Sequence, residues 1–453
     1  MLIGLKKCYN KMKRLLLAVL LLVSSLKSGV VVFDDVFTGG TLRLDYVLAG
    51  DATRQDVYLQ EICRTGDWAG RRSHMDTLLL DGNAQVIVRS LDGETLYVQS
   101  FSTLFQEWLT TEEATRLHKA FECPVLIPEP REKVRVELRL MDHHRRPAAS
   151  MEFVLDPADI LIRKVADSGM QRKMLMGGGA LESHYDIVIV AEGYTAAEEA
   201  KFFADAERLN TFLFSKEPFA THAGRFSVRA VFAPSKDYGP SQPALGDWRE
   251  TAAASNYDTF YTERYLTTSS LCKVHDIIGT VPFEQIILLV NTERYGGGGI
   301  YNNITLGTSD HPFAPVVFVH EFGHSFAGLA DEYDYGEEED PTYPLDTEPW
   351  EPNITTLVDF GAKWHDMLPA GIAIPTEPDA VMKKRDVRLV WNILTKKQKD
   401  SLNSKLGVYE GAGYRSKGVY RPVQACRMRI NECEDFCPVC QRAIVRMIDY
   451  CTE

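Results

Sequence analysis

Two histidines one helical turn apart, His320 and His324, constrain this chain more than any other pair of residues. In His320-Glu321-Phe322-Gly323-His324 an α-helix sets both imidazoles on one face, near enough to share one tetrahedral Zn²⁺. Glu321 then stands at the edge of the ion, where it can take a proton from a bound water. Five residues of this kind recur by chance, so the flanking sequence has to carry the case. Pro312 and Pro315 fall where a first helical turn belongs, and Asp310 can cap it. Val316 to Val319 give an apolar approach, and the helix is expected to run to about Ala327 and stop at Gly328, a residue suited to the left-handed conformation. A chain leaving a helix at glycine can bend a third oxygen ligand back to the ion. Asp331 is the expected ligand and Glu332 its competitor. Two histidines, one carboxylate and a water leave the open position that catalysis requires.

The amino terminus has a different character. Lys6, Lys7, Lys11, Lys13 and Arg14 precede the apolar run Leu15 to Val23, and small polar residues follow. This pattern predicts a signal peptide over residues 1–28 and a secreted or periplasmic protein, the rival being an uncleaved anchor. Removal of residues 1–25 takes away five basic residues and no acidic ones, moving the formal net charge from −13 to −18. So acidic a chain is a poor partner for nucleic acid or an anionic membrane. No second apolar span long enough for an integral membrane helix follows. Nine cysteines become eight once Cys8 leaves. The crowd at Cys426, Cys433, Cys437, Cys440 and Cys451 reads as a disulfide-stapled tail in an oxidising compartment. A structural zinc site on Cys426, Cys433, Cys437 and Cys440 is the alternative, and reduced buried thiols a third reading.

Residues 29–165 alternate apolar and polar residues in short runs, as in Thr41–Val47, Gln85–Arg89, Lys133–Leu140 and Met151–Leu155, with turn signals between them. An antiparallel β-sandwich is expected there. Gly177-Gly178-Gly179 reads as a linker, and residues 166–453 as a second, α/β domain. Its strands are placed at Asp186–Ala191, Arg225–Phe232 and Gln285–Val290, with a long amphipathic helix over Ala196–Leu213. The acidic run Glu332–Asp340 reads as a solvated loop, with a Ca²⁺ site as the alternative, and Asn303-Ile-Thr305 and Asn353-Ile-Thr355 fit the N-glycosylation pattern.

The stretch from His320 through Ser325-Phe-Ala-Gly-Leu-Ala-Asp-Glu-Tyr333 resembles the signature of the M64 peptidases, the IgA-peptidase family of metzincin-like zinc proteases. The resemblance extends to Gly296-Gly-Gly-Gly-Ile-Tyr-Asn302, Cys426-Arg-Met428 and Phe436-Cys-Pro-Val-Cys440. It implies an α+β multidomain chain, an N-terminal antiparallel β-sandwich followed by an α/β metzincin-like zinc protease domain. It also implies Zn²⁺ on His320, His324 and Asp331, Glu321 as general base, and a protein or peptide substrate. Metzincins place their glycine three residues after the second histidine; here Gly328 is four after it and Asp331 seven. A Met-turn falls on Met428 or Met382. Gly298, Gly299, Ile300 and Tyr301 are expected to bind substrate as an edge strand of the cleft, a flexible loop being the other reading. Tyr333, Tyr301, Tyr414 and Tyr420 are equal candidates for an oxyanion donor, while His311, His365 and Ser325 are expected to cap or pack. The competing functions are an exported glycan- or protein-binding protein with a structural zinc, and an aminopeptidase. Nothing in the family name assigns immunoglobulin A to this chain as substrate.

Overall fold

Strand β1 (Phe37–Asp51) shows how two different faces come to be buried. Its apolar side, Leu42, Leu44, Tyr46 and Leu48, packs into a sandwich core. Its polar side is buried too, because Arg43 and Asp45 face the second domain, where Arg43 reaches Asp276 at 2.8 Å. In this computed structural model residues 31–337, 342–382 and 387–453 are described. The expected leader, Cys8 and part of the acidic run fall outside them.

The chain continues through β2 (Arg54–Asp67), β3 (Ala84–Arg89), β4 (Thr95–Phe101), β5 (Lys119–Pro130), β6 (Val134–Met141), β7 (Pro147–Leu155) and β8 (Arg163–Lys164). These form two four-stranded sheets, in the orders β5-β1-β2-β8 and β4-β3-β6-β7, which close on one shared core. Pairing is antiparallel with one departure from expectation: the two-residue β8 lies parallel to β2, secured by Arg163 to Glu61 at 2.7 and 3.0 Å.

Beyond these, β9 (Gln171–Met176), β10 (Tyr185–Glu192), β11 (Phe226–Phe232), β12 (Gln285–Val290), β13 (Gly297–Ile300) and β14 (Ile304–Thr308) build a six-stranded sheet, ordered β13-β14-β12-β10-β11-β9. β10 and β12 are apolar runs buried on both faces, and the four central strands are parallel. The two edges, β9 and β13, run antiparallel. The glycine run 177–179 is therefore no interdomain linker; it turns the chain between β9 and β10, with Gly177 and Gly178 at φ 74° and 114°.

Ile187 and Ile189 face a core shared with three helices, Glu199–Leu213, the motif helix Ala314–Ala327 and the C-terminal helix Pro438–Thr452. Val188 and Val190 point to the other side, against the helix Leu271–Ile278. The three remaining strands, β15 (Asp334–Glu337), β16 (Tyr409–Ala412) and β17 (Tyr414–Arg421), make a small sheet that flanks the cleft. No helix of the described residues is long and apolar enough to cross a membrane.

Cysteine staples do not form: all eight described cysteines are unpaired. Cys433 packs in a separate small cluster with Trp391 and Leu402, and Cys63, Cys123 and Cys272 lie far along the chain from the C-terminal group. The glycan pattern at Asn353 also yields to the fold, since the residue is fully buried.

Candidate metal centre and cleft

The motif helix starts without the expected cap. Asp310 instead pairs with Lys201 at 2.8 Å and accepts from Ser309. Pro315 fills the first turn, and the His311 ring nitrogen Nδ1 accepts from the Phe313 N–H at 3.1 Å. The other end is as the sequence indicates. Gly328 takes φ 59°, and its N–H returns to the His324 carbonyl at 3.0 Å. A side chain at Gly328 would also collide with Trp350, at 2.5 Å from an added Cβ.

That turn sends the chain back under the helix. His320 Nε2 and His324 Nε2 stand 3.0 Å apart, and Asp331 Oδ1 is 3.1 Å from the first and 3.4 Å from the second. Three donors around one Zn²⁺ at ~2.1 Å would be separated by about 3.4 Å, so the spacing suits one ion. Each imidazole is held by its other nitrogen: His320 Nδ1 donates to the Arg427 carbonyl at 3.0 Å, and His324 Nδ1 to that of Leu329 at 2.5 Å. This leaves both Nε2 atoms free for a metal. Asp331 is oriented by the Tyr414 hydroxyl, which donates to Oδ2 at 2.8 Å, while buried Oδ1 has no hydrogen-bond partner. An orphaned carboxylate oxygen aimed at two imidazoles is a donor set that could hold one metal ion.

The electrostatics agree with close packing of these groups. Burial opposes charge on His324, yet the adjacent Asp331 carboxylate prevails and lifts the imidazole to about 9. For Asp331 burial likewise acts upward, but both histidines hold it well below the usual carboxylate range. Burial raises the Glu321 carboxyl, against the pull of the same two rings.

Glu332, the sequence competitor for third ligand, turns the other way. Its Oε1 accepts from Asn353 Nδ2 at 3.0 Å and lies 3.2 Å from Cys440 Sγ. Asn353 also exchanges hydrogen bonds with both Ala330 backbone groups, at 2.8 and 2.9 Å, and so fixes the loop after the helix. Met428 packs beneath the helix: a Cβ on Gly323 would come within 3.1 Å of its sulfur. Met382 sits with a different cluster, beside Val387 and Trp391.

A cleft of ≈ 690 Å³ opens over the triad and Glu321. Gly298, Gly299, Ile300 and Tyr301 all border it, although Ile300 and Tyr301 are only 6% exposed and pack largely into cores. β13 lies against the helix so closely that a Cβ on Gly299 would fall 2.3 Å from the Glu321 carbonyl. Its outer edge is met at Gly297 by Leu266 N–H at 3.2 Å, and the Tyr301 carbonyl beyond it by Ser102 N–H at 2.9 Å. Of the four tyrosines, Tyr414 is committed to Asp331 and Tyr333 accepts from Arg264 at 3.1 Å. Tyr301 is buried near Ser100, and Tyr420 pairs its backbone with Thr355 away from the cleft. Ser325 bonds to Thr305 inside the core, and His365 packs on Phe360.

Two lining residues were not legible beforehand. Arg264 projects over the Tyr333 ring, and Glu107, from the N-terminal domain, accepts from the Tyr265 hydroxyl at 2.6 Å. Glu107 lies about 200 residues from the motif in sequence, so no local pattern marks it.

No curated protein matches this chain. The family model described as Peptidase M64 N-terminus matches residues 32–151, covering most of the sandwich. The model described as IgA Peptidase M64 matches residues 175–448, which contain His320, His324, Asp331, Glu321 and the glycine strand. By that match, more than half its length, the chain belongs to the M64 peptidase family.

Proposed function

We propose that this protein is an exported zinc-dependent endopeptidase in which Glu321 is the general base. The observation that carries the reading is the convergence of His320 Nε2, His324 Nε2 and Asp331 Oδ1 within 3.4 Å of one another on the floor of a cleft. His320, His324 and Asp331 would hold Zn²⁺, which when bound polarises a carbonyl and brings the pKa of a coordinated water to about 7. Arg427 and Leu329 keep the imidazoles in the tautomer that offers Nε2. Tyr414 fixes the carboxylate so that Oδ1, and not Oδ2, faces the histidines. Glu321 takes the proton of the attacking water and passes it to the leaving amine, a role suited to a carboxyl raised by burial. Arg264 and Tyr333, on the cleft wall, are the groups available to meet negative charge on the scissile oxygen. Met428 under the helix is consistent with a Met-turn.

The test is cleavage of a proteome-derived peptide library by the purified mature protein and by Glu321→Gln. Wild type is expected to make internal cuts, which separate an endopeptidase from stepwise trimming. Glu321→Gln should keep its metal and lose about 10²–10⁴-fold in kcat/KM. Undiminished turnover by Glu321→Gln, or a metal-bearing wild type that cuts nothing, would remove the proposal and favour a binding protein.

A further inference from the structure

Successive residues of an extended segment point to opposite sides, and the segment after Gly328 uses both. Asp331 faces the histidines; Glu332 faces down, into three sulfur atoms. Glu332, Cys426, Cys437 and Cys440 each offer one ligand atom, all within 4.8 Å of one another, and all four side chains are fully buried. Cys426 Sγ and Cys440 Sγ are 3.8 Å apart, and Cys440 Sγ lies 3.2 Å from Glu332 Oε1. A disulfide needs about 2.05 Å between sulfurs. Two thiolates on one tetrahedral Zn²⁺, each at ~2.3 Å, are separated by about 3.8 Å.

A second observation points to a cation independently. Glu332 Oε2 is buried without a hydrogen-bond partner, and among the described residues no ion pair reaches either oxygen of this carboxylate. The nearby Arg421 guanidinium spends its hydrogen bonds on the Glu410 and Gly411 carbonyls. Burial raises this carboxyl well above the usual carboxylate range, so it either keeps a proton or binds a cation, and three sulfur ligands beside it favour the cation. The contrast with a third group, Asp45, Glu61 and Cys63, is instructive: there Arg43 and Arg163 already answer the acids, at 2.8 and 2.7 Å.

We propose that Glu332, Cys426, Cys437 and Cys440 form a second, closed metal site for Zn²⁺, separate from the one in the cleft. Four protein ligands leave no open position, so its role is structural. Loading releases to solvent whatever protons the three thiols and the carboxyl carry. The resulting negative charge is eased by the Cys437 N–H, which donates to Cys426 Sγ at 3.3 Å, and by the start of the C-terminal helix, which Cys437 precedes. Every ligand sits on a segment that supports the cleft. Glu332 adjoins Asp331, and its N–H donates to the Met428 carbonyl at 2.8 Å. Cys426 is followed by Arg427, whose carbonyl holds His320. The second ion thus ties the third-ligand loop, the Met428 segment and the C-terminal helix into one floor.

The experiment uses the full mature protein, purified without chelator, with zinc counted by mass spectrometry and the protein then reloaded with Co²⁺. Two zinc ions per chain are expected, falling to one in His324→Ala and to one in Cys437→Ser. The cleft site contains no sulfur, so thiolate-to-Co²⁺ charge-transfer absorption must come from the second site. It should persist in His324→Ala and collapse in Cys437→Ser and Cys440→Ser. If those variants fail to fold, the cobalt-loaded wild type still decides. Absence of the charge-transfer band, a Cys437–Cys440 disulfide in the mass spectrum, or a single zinc lost entirely in His324→Ala each overturns the site. A single sulfur-bound ion would uphold it while removing the hydrolase reading instead.

Discussion

Tyr414 illustrates how much one side chain can contribute without touching substrate. Its hydroxyl holds the second oxygen of Asp331 across 83 residues of chain, and it does so from a φ of +69°. A non-glycine residue there is strained and needs its surroundings to hold it. Outer partners of metal ligands typically matter by 10–100-fold, so Tyr414→Phe is expected to weaken metal binding by about that factor. Competition against a calibrated chelator measures it, and equal affinity in Tyr414→Phe and wild type would show that Asp331 orients itself. The sequence singled out His320, Glu321, His324 and Asp331 because they share one short stretch whose spacing has geometric meaning. It ranked Tyr414 level with three other tyrosines, because the contact that distinguishes it is made through space.

Strand β13 and the motif helix are a matched pair of elements. Four successive glycines, 296–299, are expected from sequence as a cleft edge strand, with a loop as the other reading; in the fold Gly297–Gly299 lie in that edge strand and a Cβ at any of the four is obstructed. At Gly299 it would meet the Glu321 carbonyl at 2.3 Å and His324 Cβ at 3.0 Å, both fixed parts of the helix. Gly299→Ala is therefore expected to destabilise the protein by about 1–3 kcal/mol and to depress activity by shifting the helix. Gly224→Ala, which enters open space at an ordinary φ, should do neither. Urea unfolding alongside peptide cleavage compares them, and a fully active Gly299→Ala would mean the strand can retreat freely. Elements with a strong local signal were readable in advance: the apolar runs of β10 and β12, and the helical spacing of the helix ending at Leu213. β5 was not, because Pro124, Pro128 and Pro130 interrupt its pattern; as an edge strand it tolerates them.

The two halves of the chain meet over a substantial, ordered junction. Asn302 and Asn303 donate to the Ser100 and Ser102 carbonyls at 2.8 and 3.2 Å, and Trp350 donates to Asn83 at 3.0 Å. The helix Leu271–Ile278 lies at this junction, and its buried His275 has a measurable consequence. Burial pushes the imidazole down to about 3, with the Arg43 guanidinium acting in the same direction. The unfolded chain takes up a proton near its ordinary value while the folded one does not, so this residue's contribution to stability is present at neutral pH and is lost as pH falls. Between pH 7 and pH 5 the loss amounts to about 2 kcal/mol for this one group. His275→Gln should flatten that part of the profile, and superimposable wild-type and variant melting curves against pH would contradict it.

The chemistry of the centre was written locally: two imidazoles and a carboxylate on one helix, a glycine stop and an acid just beyond it. Such features depend on helical periodicity and turn preference, which act over a few residues. Which acid faces the histidines, and which cysteines gather, depended on chain segments about a hundred residues apart arriving at the same place. Glu332 was a plausible partner for the histidines until packing set Asp331 above and the sulfurs of Cys426, Cys437 and Cys440 below. Cys433, alike in sequence, was carried into a different cluster. Side-chain direction along an extended segment is fixed by what covers each face, and the covering elements come from elsewhere in the chain.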